Sequence, residues 1–136
     1  MSSILSIAAS GLAAASLRLQ VSADNVANAD SDGPSPSTSA AVQAQYQLAY
    51  VAQQVNQVAT PGGGPKAVVS NAQPGTVTAY DPTAPYADQN GEVTAPNVDI
   101  TNEAVQQALA SYQFLANVDV MSTYSKMMQA LLDIQT

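Results

Sequence analysis

Carboxylates are the groups best suited to acid–base or metal chemistry in this chain of 136 residues, because the sequence contains no His and no Cys. Asp30 and Asp32, separated by Ser31, could begin a Ca²⁺-binding loop. A calcium loop also needs further oxygen ligands and a closing Glu, and these are missing here. The Asp32-Gly33-Pro34 sequence instead favours a turn after a helix.

Four further carboxylates could form pairs of the kind that cleave glycosidic bonds, namely Asp81, Asp88, Glu92 and Asp99. The sequence has no Trp and one Phe, so aromatic platforms for sugar rings are scarce. Gly62 to Gly64 could suggest a phosphate-binding loop, but no Lys-Ser/Thr pair opening a helix follows it. We therefore predict no catalytic, cofactor-binding or metal-binding residues, and a protein that is not an enzyme.

The charge distribution disfavours nucleic acid and membranes as partners. The formal net charge is -7, and three basic residues, Arg18, Lys66 and Lys126, are too few for a phosphate-binding patch. The Ala-rich apolar start resembles a signal peptide but lacks a basic N-terminal region, and its apolar spacing continues through Arg18 to Val26. We therefore expect one retained helix, no cleavage and no direct membrane insertion.

Proline placement divides the chain into three parts. All eight prolines lie between Pro34 and Pro96, and residues 1–32 and 97–136 contain one glycine, Gly11. Because proline disrupts a helix interior, only the two ends can form long helices. We predict an N-terminal helical unit over 1–30, a Pro/Gly-rich extended and β-hairpin region over 31–97, and a C-terminal helical unit over 98–136.

Both ends carry an apolar stripe with helical spacing. The N-terminal stripe alternates large and small residues: Leu5, Ala8, Leu12, Ala15, Leu19, Ser22 and Val26. The C-terminal stripe consists of Val105, Leu109, Tyr112, Ala116, Val120, Tyr124, Met127, Leu131 and Ile134. Isolated amphipathic helices are marginal in water and must dock to be stable. We predict a mainly α fold in which these helices pack as a coiled coil, either within one chain or between chains.

The centre shows weaker signals. Residues 41–58 fit a helix or a strand, and we predict extended structure there. Ala67–Ser70 and Thr76–Tyr80 are short β-type runs, separated by 71–75, and predict a small hairpin. Asn90-Gly91 predicts a tight turn.

Motifs in both terminal segments resemble bacterial flagellar rod, hook and hook-associated proteins. The N-terminal motif is Ser10-Gly11-Leu12, then Arg18, then Ser22-Ala23-Asp24-Asn25-Val26-Ala27-Asn28-Ala29-Asp30-Ser31. Asn102-Glu103-Ala104-Val105 and Ala116-Asn117-Val118-Asp119-Val120 continue the match. The short length and the stretch from Tyr80-Asp81-Pro82 to Pro96-Asn97-Val98-Asp99 are most similar to a proximal rod subunit. Residues 34–75 match poorly, and Tyr112 stands where relatives usually carry Arg.

The resemblance implies a structural subunit of the proximal rod, the drive shaft that transmits motor torque across the periplasm. It further implies helical assembly with copies of itself and with other proximal and distal rod proteins, contact with the base of the basal body, and export through the flagellar type III apparatus without a cleaved signal. The alternatives are another rod or hook subunit, or a secreted protein that binds or cuts peptidoglycan. The residues expected at the assembly interface are Leu5, Leu12, Leu19, Asn25, Val26, Asn28 and Asp30 in the N-terminal segment, and Val105, Leu109, Tyr112, Ala116, Asn117, Tyr124, Met128 and Leu131 in the C-terminal segment.

Overall fold

The computed structural model describes residues 2–61 and 63–134, and Gly62 of the predicted glycine turn lies outside them. These described residues form three helices and five strands. They are α1 (Ser2–Ala27), β1 (Gly33–Pro34), α2 (Ala40–Gln45), β2 (Gln53–Ala59), β3 (Pro65–Asn71), β4 (Thr76–Tyr80), β5 (Glu92–Pro96) and α3 (Ile100–Asp133). The prediction of long helices at both ends around a small β centre is confirmed.

The two long helices lie antiparallel along each other. Gly11 of α1 lies against Asn117 of α3, and the Ser22 hydroxyl donates to the carbonyl oxygen of Glu103 at 3.0 Å. Small residues on α1 permit this approach, since Ala8, Ala15 and Ser22 are all buried. The small members of the predicted N-terminal stripe are therefore the ones that pack within the chain.

Helix α3 starts where the sequence supplies a cap. Asp99 is its N-cap, and the Asp99 carboxylate accepts hydrogen bonds from the backbone N–H of Thr101 at 2.9 Å and of Asn102 at 3.2 Å. Pro96 ends the preceding strand, so the chain turns into the helix within a few residues.

Most residues of the predicted C-terminal stripe do not face α1. Ala110 is 1% exposed and Asn117 is half-buried, whereas Val105, Leu109 and Leu131 of the stripe are exposed. Within one chain, α1 and α3 therefore pack through the small residues of the N-terminal stripe and not through the large apolar residues of both stripes, and the coiled-coil pairing of the stripes stays a prediction. The reason is steric. Helix α1 presents small residues to α3, and the side of α3 that meets them carries the small residue Ala110 and the polar residue Asn117.

The strands form two separate antiparallel sheets. Strands β2 and β3 make a hairpin in which Gln53 pairs with Asn71 and Ala59 with Pro65. A three-stranded sheet has the order β1-β5-β4, and Val93 at its centre is 1% exposed. The predicted β-type runs are both strands, but the prediction that they pair with each other is wrong. The turn at Asn90-Gly91 is confirmed, with Gly91 at a φ of 76°.

The first part of residues 41–58 is helical and not extended as predicted. Helix α2 covers Ala40–Gln45, and only from Gln53 does strand β2 begin. Ala and Gln favour a helix intrinsically, and this outweighs the alternating pattern that led to the prediction.

The β2–β3 hairpin packs along α1 on a side different from that of α3. Ile7, Ala14 and Val21 lie seven residues apart on one face of α1, and a Cβ atom on Gly63 at the hairpin tip would lie 3.1 Å from Ile7 Cδ1. A side chain on Gly64 would collide with the hydroxyl of Ser10, so the tip lies close to the helix. Helix α1 is therefore flanked by α3 and by the hairpin, and its remaining side stays open.

Candidate assembly interface

Asn25 occupies the junction of three elements at the end of α1. Its side chain is 2% exposed. The Nδ2 group donates to the Gln53 carbonyl oxygen at 2.8 Å and to Glu103 Oε1 at 2.7 Å, and Oδ1 accepts from the Gln53 backbone N–H at 3.0 Å and from the Tyr50 hydroxyl at 3.0 Å. These four bonds satisfy both donors and both acceptors of the amide. The side chain thus ties together α1, β2 and α3 within its own chain.

Tyr50 completes this network as a hydrogen-bond donor. Burial raises the pKa of its phenol, and the negative charges of Asp24 and Glu103 raise it further. The hydroxyl therefore stays protonated at neutral pH and continues to donate to Asn25. This network forms because the N-terminal motif places Asn25 near the end of α1, beside the start of α3.

The large residues of the α1 stripe lie beside the helix contact and not inside it. Leu5 and Leu19 are exposed, with 42% of Leu19 accessible, and Leu12 and Val26 are half-buried. Asn28 donates from Nδ2 to the Asp24 carbonyl oxygen at 2.8 Å within its own helical end, and Asp30 is exposed. All except Asn25 therefore leave surface available to another molecule.

Helix α3 exposes most of its predicted interface. Tyr112 is 72% exposed and Leu131 is 57% exposed, and Ala116 is also exposed. Asn117, Tyr124 and Met128 are half-buried, and Asn117 lies against Gly11 of α1. The structure therefore places the predicted C-terminal residues on two sides of the helix.

Sequence reasoning from the stripe missed a further exposed side of α3. Phe114, Leu115, Val118 and Leu132 are large, apolar and exposed, and none belongs to the predicted stripe. The available signal was that apolar residues occur on nearly every side of α3, without the polar face of an ordinary surface helix. A helix that is apolar all round is normally surrounded by other protein.

Two of the four carboxylates that could have been catalytic, Asp81 and Asp88, accept hydrogen bonds from neighbouring groups. Asp81 accepts from the Thr83 hydroxyl at 2.6 Å and from the Thr83 N–H at 3.0 Å; Asp88 accepts from the Ser37 hydroxyl at 2.7 Å and from the backbone N–H groups of Asn90 and Glu92 at 2.8 Å. These hydrogen bonds lower the pKa of both carboxyls, chiefly through the Thr83 and Ser37 hydroxyls. A general acid for glycoside cleavage needs the opposite shift.

The acidic loop at the end of α1 contains a perturbed carboxyl, that of Asp32. Burial makes the largest contribution to the raised pKa of Asp32. The negative charges of Asp30 and Asp81 raise this pKa further. Within the described ranges, no group of three or more His, Cys, Asp or Glu residues is placed to hold a metal ion.

Helix α1 also meets a length and composition criterion for a membrane span. Ile4–Ala27 has a mean hydropathy of 1.5. Core helices pass the same test, and here the helix packs against α3 and the hairpin through Ala8, Ala14, Ala15 and Val21, which are all buried.

Comparisons with known proteins agree with these features. A family model described as "Flagella basal body rod protein" matches residues 5–34, and one described as "Flagellar basal body rod FlgEFG protein C-terminal" matches residues 89–134. The flagellar basal-body rod protein FlgC of Salmonella typhimurium is 40% identical over 126 residues, covering 92% of this chain and 90% of the relative. FlgC of Escherichia coli O6:H1 is 41% identical over 128 residues with the same coverage, and FlgC of Agrobacterium fabrum is 29% identical over 134 residues.

The long paired helices, the small β centre and these matches define a flagellar basal-body rod protein, which is a structural subunit and not an enzyme. Within that class, the chain belongs to the FlgC family, because the identity to FlgC proteins extends over most of both chains.

Proposed function

We propose that this protein assembles helically, with copies of itself and with other rod proteins, into the proximal rod that transmits motor torque across the periplasm. The observation that carries the proposal is the exposure of apolar side chains around α3, from Val105 to Leu132. A monomeric soluble protein rarely leaves so much apolar surface in contact with water. Family membership supplies the identity of the assembly.

Burial in an assembly would be strongly favourable. Each large apolar side chain that leaves water contributes on the order of 1.5–3 kcal/mol. Residues such as Leu109, Tyr112 and Leu131 have no helix of their own chain over them, so they can contribute only through contact with a neighbour. A head-to-tail contact between two different surfaces builds an open helical stack when its rotation does not close into a ring, and such a stack grows as a rod.

In this proposal, residues 1–30 and 98–136 form an inner coiled-coil layer, and residues 31–97 project from it. The loop from Asn25 to Gly33 would lie between adjacent subunits through the exposed residues after Asn25, such as Asp30. The Asn25 side chain itself is committed to contacts within the chain.

Export without a cleaved signal fits the same physical picture. Terminal helices that gain much of their stability from neighbours can unfold at low cost for passage through an export channel. They then order on assembly, when burial offsets the conformational entropy that ordering removes. The apparatus of the flagellar base would be the partner during this step.

Deletion and complementation test the proposal in the bacterium that encodes the chain. Loss of the gene should abolish the rod, and the wild-type gene should restore both isolated basal bodies that contain the chain and swimming. Intact rods in the deletion strain, or basal bodies without the chain in the complemented strain, would refute the proposed function. Incubating the purified chain with cell wall tests the rival enzyme function, which predicts release of soluble fragments.

A further inference from the structure

Asn90 and Gly91 form a pair in which a spontaneous reaction between neighbouring residues meets little hindrance. The backbone nitrogen of the residue after an Asn can attack the side-chain carbonyl carbon of that Asn, Cγ. Glycine has no Cβ to block the approach, and Asn90 is the only asparagine of the chain that precedes a glycine. Asn90 is also exposed, so water reaches its side chain. The pair therefore has the composition and the access that this reaction requires.

The fold holds Gly91 in a turn that withholds its nitrogen from the reaction. The Gly91 N–H donates to the Asp88 carbonyl oxygen at 3.0 Å, and the Gly91 carbonyl oxygen accepts from the Asp81 N–H at 2.9 Å. Gly91 is buried, and a Cβ atom on it would lie 2.9 Å from Tyr80 Cε2. To attack Asn90, the Gly91 nitrogen must leave its hydrogen bond and lose its proton.

Asp88 fixes the same turn with its side chain. Its Oδ1 accepts from the N–H groups of Asn90 and Glu92, each at 2.8 Å, and its own N–H donates to the Glu92 carbonyl oxygen at 3.0 Å. The Ser37 hydroxyl donates to the other carboxylate oxygen, Oδ2, at 2.7 Å. One carboxylate therefore holds the backbone on both sides of the bond between Asn90 and Gly91.

We propose that Asn90 is a site of spontaneous covalent modification and that the Asp88 turn controls its rate. When the turn opens, the Gly91 nitrogen forms a bond to Asn90 Cγ. The bond between Cγ and the side-chain nitrogen breaks, and the NH₂ group leaves as ammonia with the proton that Gly91 gives up. Water then opens the cyclic imide at one of its two carbonyl groups. The product is an aspartate or an isoaspartate, and the isoaspartate carries an additional carbon in the main chain.

An isoaspartate at this position would prevent the turn from forming again. The additional main-chain carbon lies between the Asn90 N–H and the Gly91 N–H, which both donate to Asp88 in the turn. Tyr80 of β4 pairs with Glu92 of β5 directly beside it. A transient opening thus becomes a permanent change at the end of the β1-β5-β4 sheet. The reaction is a property of the single chain and does not depend on rod assembly.

Incubation of the purified chain at mildly alkaline pH tests the proposal, and peptide mass spectrometry measures aspartate and isoaspartate at each asparagine position. In urea, the unfolded wild type should react faster at Asn90 than at its other asparagines. The folded wild type should react at least about tenfold more slowly at Asn90, because the hydrogen bonds of the turn must open first. Asp88→Ala should raise the folded-state rate several-fold, toward the rate in urea.

Ser37→Ala is the matched control, because it removes the bond to Asp88 Oδ2 and leaves both bonds to Oδ1. Its rate should stay near that of the wild type. Equal rates in folded and unfolded wild type, or a wild-type rate in folded Asp88→Ala, would refute control by the turn. A faster reaction at another asparagine in urea would refute the site itself.

Asp88→Asn keeps the proposal testable if circular dichroism shows that Asp88→Ala does not fold. It retains an oxygen at Oδ1 but loses the negative charge that strengthens hydrogen bonds to this acceptor. Its folded-state rate at Asn90 should lie between the rate of the folded wild type and the rate in urea. A rate equal to that of the folded wild type would contradict the role of the Asp88 carboxylate.

Discussion

Gly11 on α1 lies directly against the side chain of Asn117 on α3. A Cβ atom on Gly11 would lie 2.7 Å from Asn117 Cγ, which is much closer than non-bonded carbons pack. The Asn117 amide is itself held in place, because its Nδ2 donates to the Gln113 carbonyl oxygen at 2.7 Å. The only glycine within the two long helices therefore makes room for a polar side chain on the partner helix.

This contact predicts that Gly11→Ala changes the stability of the chain in opposite directions in two genetic backgrounds. Alanine is favoured over glycine by up to about 1 kcal/mol inside a helix. In the wild type, we nevertheless expect Gly11→Ala to destabilise the chain by roughly 1–2 kcal/mol, because overpacking displaces Asn117. In an Asn117→Ala background, the same substitution should stabilise by roughly 0.5–1 kcal/mol. Urea unfolding of the four variants gives the coupling free energy. Stabilisation in both backgrounds would show that Asn117 moves aside without cost.

The Asn25 network predicts a large loss of stability from a small change. Asn25→Ala removes four hydrogen bonds and leaves the N–H of the half-buried Gln53 without the Asn25 acceptor. We expect a loss of roughly 2–4 kcal/mol, with faster hydrogen exchange at β2 and at the start of α3. Both quantities can be measured on the purified chain by thermal unfolding and by exchange mass spectrometry.

Asn25→Asp separates hydrogen bonding from packing, because it keeps the shape and replaces the Nδ2 donor by an oxygen beside Glu103. Near neutral pH, Asn25→Asp should lower the stability of the chain as much as Asn25→Ala does. The stability should recover partly on acidification, because a protonated carboxyl can again donate a hydrogen bond. Asn28→Ala is the control, since Asn28 bonds within its own helical end, and its effect should stay within about 0.5 kcal/mol. An exchange pattern unchanged by Asn25→Ala would argue against the joining role.

Helix existence could be predicted because proline and glycine exclude the centre from long helices, but the paired face of α3 could not. Apolar residues of α3, such as Val105, Phe114 and Leu131, point to several sides of the helix. No single apolar stripe therefore marks the side that meets α1. The side that does meet α1 contains Ala110 and Asn117, which suit the small residues of α1. Hydrophobicity alone therefore pointed to the exposed side.

Strand pairing could not be predicted either, because two turns competed for strand β3. Both the glycine-rich segment before Pro65 and the segment after Asn71 can reverse the chain. Packing of the first hairpin on Ile7 and Ser10 of α1 decides between them, and that contact is distant in sequence. For the interface, the motif identified Asn25, but its burial depends on Gln53 and Glu103, which come from two other elements.

Asp32 predicts an unusual pH dependence. Burial and the charges of Asp30 and Asp81 raise its pKa in the folded chain, so the folded state binds the proton more tightly than the unfolded state. This contribution to stability is therefore greatest at low pH and is lost as the pH rises through the folded-state pKa. Asp32→Asn should raise the Tm near neutral pH, and the gain should disappear at about pH 3, where the carboxyl is protonated.

Circular dichroism melting across this pH range measures the effect. Asp119→Asn removes an exposed carboxylate from α3 and provides the control, for which we expect little change. A lower Tm for Asp32→Asn at neutral pH would indicate that Asp32 has a favourable partner and not the repulsive surroundings described above.

Charge on the exposed side of α3 should block assembly without unfolding the subunit. Leu131 is 57% exposed, so Leu131→Asp should change the stability of the free chain by less than about 0.5 kcal/mol. In a rod, the same carboxylate would be buried without a partner, a cost of several kcal/mol. We therefore expect normal export and the absence of rods and swimming for Leu131→Asp. The exposed neighbour substitution Gln129→Asp should still swim. Working flagella from Leu131→Asp would mean that this side of α3 faces water in the rod, and the inner-layer assignment would then be wrong.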